Sequence, residues 1–264
     1  MIHLKPIAKY LFIITIFIIL LNNILYSFDS SFYFVPLKKF SKKVYIENKS
    51  KFKMIINDNI SLPDTSTQRI IGNSQNKNNY SIVIETGNNI EFNKQKSGDN
   101  NKHLVNTRLL NTDNPIIIKL KERFKNSKNI LDDVEKFVNG HINNKIIGLP
   151  IIPASEIMKN KSGDCTEHTI LAISILRSLG VPARGVIGML LSEEFSGNKD
   201  VFVYHMWGEA YTNGKWNLLD ATRPEEKHPN RYIAFAYHHL QTEMPLSYLK
   251  AVSAMKTLAV EYVE

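Results

Sequence analysis

The sequence predicts an α+β fold, and three observations carry that expectation. The stretch CTEHTILAISILRSLG (165–180) has helical apolar spacing and stop signals at both ends. Two apolar runs, VFVYHMWGEAY (201–211) and KWNLLDAT (215–222), flank Asn213-Gly214. An Asn-Gly pair between apolar runs is the strongest short-range hairpin signal. Upstream, residues 28–110 hold β-branched and alternating stretches separated by Gly- and Asn-rich turns.

The chain begins with a different character. Lys5 and Lys9 precede YLFIITIFIILL (10–21), and no charge occurs from Tyr10 to Phe28. As a helix this uncharged stretch would be ~28 Å long, about the thickness of a bilayer core. It has no polar face, unlike a helix of a soluble core. No small-x-small cleavage site follows it, so an uncleaved signal anchor over residues 1–27 is favoured over a cleaved signal peptide. The short basic end before the apolar run is an export pattern, and it places the body outside the cytoplasm. Lys38, Lys39, Lys42 and Lys43 pull the orientation the other way.

Residues 28–110 read as a β-rich accessory segment. KVYIE (43–47), FKMII (52–56) and YSIVIE (80–85) are its candidate strands, and GNSQNKNN (72–79) and residues 93–103 its loops. From Pro115 the pattern becomes helical, with two helices joined around Asn126–Asn129. A Pro-containing loop (149–153) leads to a short helix from Ser155, whose hydroxyl is a candidate cap. For the helix at 165–180, Asp164 is the expected N-cap, Gly180 the terminator and Pro182 the stop. Ile170, Ile173, Leu176 and Leu179 line one face of it. RGVIGMLL (184–191) is a strand, and the hairpin over 201–222 follows. RYIAFAYHHL (231–240) and PLSYLKAVSAMKTLAVEYV (245–263) read as a C-terminal helical extension over 229–264.

Composition closes several doors. Cys165 is the only cysteine, so an intrachain disulfide and a multi-cysteine metal site are excluded. The formal charge is +8, and its excess lies in residues 28–150, with 20 basic and 12 acidic groups. Residues 151–264 carry 11 and 13. The lysines of the first half alternate with Asn rather than with motif aromatics, so no nucleic-acid partner is expected. These lysines read first as a bias of solvated loops, and attraction to an anionic lipid surface is the alternative, given the apolar run that precedes them.

The candidate chemistry gathers at three residues. Cys165 sits at a helix start, where unpaired N–H groups and the dipole favour an anion and so a thiolate. Its flanks, Gly163-Asp164 and Thr166-Glu167-His168, are polar, unlike those of a buried structural cysteine. A two-residue loop at Asn213-Gly214 pairs Thr212 with Lys215, which sets Asp220 opposite Trp207 and His205 opposite Thr222. His205, Trp207 and Glu209 then share one face by strand alternation, with Asp220 diagonal to His205. Diagonal neighbours lie ~7–8 Å apart at the backbone, within reach of a carboxylate and an imidazole. Thiol, imidazole and carboxylate together are what acyl transfer through a thioester requires.

The stretches SGDCTEHTILAISILRSLGVPARGVIG (162–188), YHMWGEAY (204–211) and WNLLDAT (216–222) resemble the transglutaminase-like superfamily. The resemblance covers roughly residues 111–228 and includes LGVPAR (179–184) and the His205-x-Trp207-x-Glu209 strand. It implies a papain-like core with the nucleophile Cys165 on a helix N-terminus and with His205 and Asp220 on antiparallel strands. The β-rich segment and the membrane helix would precede that core. It also implies acyl transfer on peptide or amide bonds of a protein or peptide substrate, hydrolytic more than crosslinking; some branches of the family depend on calcium, but no EF-hand-like loop is visible here and no cofactor is expected. The family's usual oxyanion-hole side chain upstream of the nucleophile is missing; Asn160, Ser155 and Ser162 are the candidates, beside the Cys165 backbone N–H. Trp207, Glu167, His168 and Asn160 are the candidate supporting residues around the cleft; Trp207 is read as packing before substrate contact, His168 and Glu167 either line the cleft or hydrogen-bond locally, and Glu209 has no catalytic role.

Two other readings stay open. Cys165, His168 and His205 could together hold a metal, since Cys165 and His168 share a helix face. The chain could also be a non-catalytic, membrane-anchored binding or scaffold protein that keeps the fold.

Overall fold

Alternation of apolar and polar residues builds most of this molecule into one sheet. The computed structural model describes residues 34–57, 60–76, 79–88, 90, 100–146, 151–238, 240–241 and 258–263. The predicted anchor, residues 1–27, lies outside them. Among the described residues no helix is long and apolar enough to cross a membrane.

In chain order the strands are β1 (Phe34–Lys38), β2 (Lys49–Ile56), β3 (Gln68–Asn76), β4 (Asn79–Gly87), β5 (Asn144–Lys145), β6 (Ser162–Gly163), β7 (Ala183–Phe195), β8 (Asn198–Thr212), β9 (Lys215–Leu219), β10 (Tyr232–His238) and β11 (Ala259–Val263). The helices are α1 (Pro115–Phe124), α2 (Ile130–His141), α3 (Ala154–Asn160) and α4 (Cys165–Ser178). Nine strands form one sheet in the order β10-β7-β8-β1-β11-β2-β4-β3, with β9 also on β8. β5 and β6 make a separate parallel pair beside the start of α4.

The predicted elements from 111 to 222 are present: α1 and α2 flank residues 125–129, and α4 is followed by β7 and then the β8–β9 hairpin. Helix α4 departs from the one-faced pattern expected of it. Every residue from Glu167 to Arg177 is buried, because the helix contacts β7 and β8 on one side and α1, α2 and α3 on the other. A helix apolar on all sides belongs in the middle of a fold. It ends as its sequence predicts. Gly180 takes a φ of 78°, and the N–H groups of Gly180 and Val181 bond to the carbonyls of Arg177 and Leu176. That double bond is a Schellman cap, which needs the left-handed residue glycine tolerates. The short helix α3 has Pro153 rather than Ser155 at its N-cap; the Ser155 hydroxyl instead accepts a bond from Asn111 Nδ2.

The upstream segment is β-rich as expected, but two of its elements differ. KVYIE (43–47) is no strand: residues 42–45 make a single 3-10 turn capped by the Ser41 hydroxyl. Its β-branched residues serve to bury Val44, which is fully inaccessible. GNSQNKNN is largely strand, since β3 runs to Asn76 and pairs with β4 down to Asn76↔Asn79. Polar residues alternate poorly but lie here on a sheet edge, where exposure on both faces costs little.

The C-terminal extension is the larger correction. Residues 232–238 and 259–263 are strands, β10 antiparallel to β7 and β11 wedged between β1 and β2. Residues 242–257 lie outside the described residues. The apolar and aromatic run YIAFAY finds its burial against β7, with Tyr232, Ile233 and Ala234 all buried; in such a short run, sheet neighbours rather than periodicity decide between helix and strand.

Residues 34–87 are continuous with the rest. β1 pairs with β8 on one side and β11 on the other. Val35, Leu37, Phe52, Met54, Ile82, Ile84, Phe202, Val260 and Tyr262 belong to the same apolar core as α4. Phe52 meets Phe202 edge-on at 5.2 Å. Buried polar bonds add to this: the Gln68 side chain bonds both the N–H and the carbonyl of Ala234, and Thr86 Oγ1 donates to the Asn230 carbonyl.

Gly188 marks the tightest point between β7 and β10. A Cβ there would stand 2.0 Å from the Ile233 carbonyl oxygen and 2.8 Å from the Trp207 ring. Gly188→Ala is therefore expected to force β10 away and lower the melting temperature by about 10 °C. Gly140→Ala, on α2 with nothing within 4 Å, is the matched control and should not destabilise. Thermal unfolding by circular dichroism checks both.

Candidate active site

The helix start that carries Cys165 is built by its own neighbours. Asp164 Oδ1 accepts the Thr166 N–H at 2.8 Å, and Glu167 Oε2 accepts the Asp164 N–H at 2.9 Å. These two bonds form a capping box. Of the two roles open to Glu167 and His168, cleft lining or local bonding, the structure shows the local one: both hold the helix start. Burial pushes the Glu167 carboxyl up to about 7. His168 Nδ1 donates to the Asp164 carbonyl at 2.6 Å. Burial lowers its pKa, and its buried Nε2 meets no partner among the described residues.

β8 supplies the place where Cys165 meets its partners. Over Val201–Val203 β8 pairs with β1, and over Gly208–Thr212 with β9. Between them, residues 204–207 face neither strand, and α4 occupies the opening. Thr169 Oγ1 lies within hydrogen-bond distance of both the Cys165 carbonyl, at 2.7 Å, and the Met206 carbonyl, at 3.1 Å. A threonine one turn into the helix therefore sets the nucleophile's turn against the strand bearing His205.

The hairpin has the predicted register. Thr212↔Lys215, Tyr211↔Trp216, Ala210↔Asn217, Glu209↔Leu218 and Gly208↔Leu219 are paired. Asn213 and Gly214 take φ of 53° and 78°, as a type I′ turn requires. Asp220 follows the last pair. Its Oδ2 lies 2.7 Å from His205 Nε2. The Cys165 side chain lies close enough to the imidazole to influence its charge; with Nε2 given to Asp220, Nδ1 is the nitrogen left to face the thiol. The structure thus brings together all three residues singled out from the sequence.

Electrostatics follow from that arrangement. His205 and Asp220 are both buried. Burial alone would discharge His205, but the Asp220 carboxylate, its hydrogen bond to the ring and the nearby Cys165 side chain outweigh it and raise the imidazole to about 10. For Asp220, burial pushes upward, but the His205 charge and the donors around the carboxylate hold it far below the usual range.

Several residues that sequence reasoning missed hold Asp220. The Thr222 N–H and hydroxyl both donate to Oδ1. The Tyr232 hydroxyl donates to Oδ2 at 2.8 Å. Glu135 on α2 accepts the Asp220 N–H at 2.6 Å and pairs with Lys227. Asn139 Nδ2 donates to the carbonyls of Ala221 and Thr222. The Asp-Ala-Thr spacing was a visible signal for Thr222, since such side chains bond their own backbone two residues on. Glu135 was signalled by an acid between Val134 and Val138 on the apolar face of its helix.

The remaining expectations divide. Trp207 is buried and nearly parallel to the His205 ring, at 6.0 Å and 20°, and meets Tyr232 edge-on at 5.1 Å. With Val186, Leu190 and Ala234 it forms a second apolar cluster, so it walls the imidazole. Glu209 is satisfied by the Ser66 N–H and by Arg184, in keeping with a structural role. Asn160, Ser155 and Ser162 are not placed as oxyanion donors. The Asn160 side chain is exposed, Ser155 is engaged with Asn111, and Ser162 donates to the Asn160 carbonyl.

Residues 118–221 match the family described as the transglutaminase-like superfamily. No curated protein matches. Among solved structures, a candidate cysteine protease from Cytophaga hutchinsonii superposes with a TM-score of 0.50 at 16% identity, over 80% of either chain. The periplasmic domain of TgpA from Pseudomonas aeruginosa gives a TM-score of 0.50 at 11% identity, over 67% of this chain and 73% of that one. At such identities the likeness speaks for the fold, which these proteins share. Family match, shared fold and motif order agree: residues 118–221 of this chain are a domain of the transglutaminase-like superfamily.

Proposed function

We propose that this chain is a membrane-anchored, extracytoplasmic cysteine enzyme that hydrolyses peptide or amide bonds through a thioester on Cys165. One observation carries the reading: His205 Nε2 lies 2.7 Å from Asp220 Oδ2, and the Cys165 side chain stands near enough to the same imidazole to influence its charge. The apolar run at 10–21 and the export pattern around it support the anchor, and the periplasmic likeness supports the placement.

In this scheme Cys165 Sγ, as thiolate, attacks the substrate carbonyl carbon. The imidazolium of His205 gives its proton to the departing amine as the C–N bond breaks. Water then adds to the thioester, His205 takes its proton, and the acid leaves as Sγ is released. Asp220 fixes the ring and stabilises the imidazolium throughout. The first N–H groups of α4 have no acceptor within the helix, and in this scheme the Cys165 N–H donates to the oxyanion.

Alkylation by iodoacetamide tests the reading. The wild-type chain should label at Cys165 at pH 7, and His205→Ala should slow labelling by about 100-fold. Equal, slow labelling of both chains would instead identify a scaffold that keeps the fold without the chemistry.

A further inference from the structure

The lysines of the first half were expected on solvated loops, but the structure gathers many of them at one place. Residues 38–53 contain seven lysines against one acidic residue, Glu47. They span the end of β1, the connection to β2 and the first half of β2. Lys38, Lys39, Lys42, Lys49 and Lys51 are exposed. Lys39 pairs with Glu261, and Lys38, Lys39 and Lys53 all lie near enough to lower that carboxyl's pKa, so one acid is shared among three bases.

Two large apolar side chains stand out among these lysines. Ile46 is 80% exposed and Phe40 39%. The connection is not loosely held: Val44 is buried, Tyr45 bonds Asp200, and Arg231 lies over the Tyr45 ring at 4.6 Å. A fixed turn therefore presents Phe40 and Ile46 outward, ringed by positive charge. Exposed apolar side chains within a basic surface are the composition of an interfacial membrane contact.

The chain's own geometry names the partner. Only twelve residues, 22–33, separate the apolar run from β1, and they can span at most ~40 Å. We infer that the β1–β2 connection docks on the bilayer beside the anchor, with Phe40 and Ile46 entering the interface and the surrounding lysines meeting anionic phospholipid headgroups. This inference rests on the membrane-anchored placement proposed above. The docked face would fix the orientation of the catalytic body relative to the membrane, so that Cys165 samples substrates at a set height.

Lysine acetylation footprinting of the full chain tests it, in vesicles of phosphatidylcholine alone and of phosphatidylcholine doped with phosphatidylglycerol. Lys38, Lys42 and Lys49 should acetylate about five-fold more slowly in the anionic vesicles, and ~1 M salt should abolish the difference. The exposed double variant Phe40→Ser, Ile46→Ser should reduce the protection. Equal acetylation in both vesicles overturns the inference. Protection by soluble polyglutamate, with none from phosphatidylglycerol, overturns the lipid assignment in favour of an acidic polymer. Resistance to alkaline carbonate extraction, read on the same samples, reports the anchor separately. A chain that resists extraction without lysine protection sinks the docking surface alone, and a chain that is extracted sinks the anchor.

Discussion

Asp220→Asn should leave the fold intact and lower the rate of Cys165 acylation by an activated ester about 1000-fold at pH 7. Asparagine keeps the shape of the carboxylate and can accept from His205 Nε2, but it carries no charge. Burial is the strongest single influence on His205 and acts to discharge it; the Asp220 carboxylate is what overcomes it. Without that carboxylate the ring is neutral at pH 7, and Cys165 loses its imidazolium partner. The pH dependence separates this from a merely local disturbance. Wild-type alkylation at pH 6 should stay within about three-fold of its value at pH 8, whereas the variant should fall steeply toward acid. A wild-type profile in the variant would show that Asp220 does not set the charge of His205.

The same pair gives stability a sign. His205 is raised from 6.5 to about 10 on folding, so its contribution is full below pH 6.5 and is lost as the pH rises through 10. Asp220 is lowered, so its contribution is full above the ordinary carboxylate range and is lost in acid. Glu167 acts the other way from Asp220. Its carboxyl is raised to about 7, so the folded state is favoured while it is protonated and loses that advantage between pH 4.5 and 7.

How much of this was legible in the sequence depends on how local the cause was. The hairpin register followed from two residues, Asn213 and Gly214, because only a tight turn with two positive φ angles satisfies them; that alone placed Asp220 diagonal to His205. Asp164, Gly180 and Pro182 bounded α4 for equally local reasons. The misreadings share the opposite property. Tyr232 reaches Asp220 only because β10 pairs with β7, and Glu135 reaches its N–H from 85 residues away. β11 lies between β1 and β2, a neighbourhood that no pattern within residues 259–263 announces. The stretch at 43–47 has strand composition, yet a hydroxyl cap at Ser41 and one buried valine make it a turn. Polar satisfaction and burial at long range decided those elements.

Glu209→Ala should be among the most damaging substitutions outside the triad, lowering stability by about 3–5 kcal/mol and the melting temperature by about 10 °C. Glu209 is fully buried, and its Oε2 accepts from both Nε and a terminal nitrogen of Arg184, at 2.9 and 2.8 Å. The guanidinium lies between the rings of Trp216 and Tyr237, at 4.0 and 3.8 Å. Removing the carboxylate leaves a buried cation with no counter-charge, the costly case for an ion pair. Replacing both partners, Arg184→Met with Glu209→Leu, should recover much of the loss, since neither charge then remains. Glu209 shares a strand face with His205, so lost activity in Glu209→Ala could be mistaken for catalysis. The pH profile of Cys165 labelling below the melting temperature distinguishes the two, and it should match the wild type. A second readout lies in the upstream segment. Glu209 Oε1 accepts both the N–H and the hydroxyl of Ser66, so the variant should also free the 63–67 loop. Limited proteolysis should then cut near Ser66 before the rest of the chain unfolds. Protection of that loop in Glu209→Ala would mean that the neighbouring Gln68–Ala234 bonds hold it without help from Glu209.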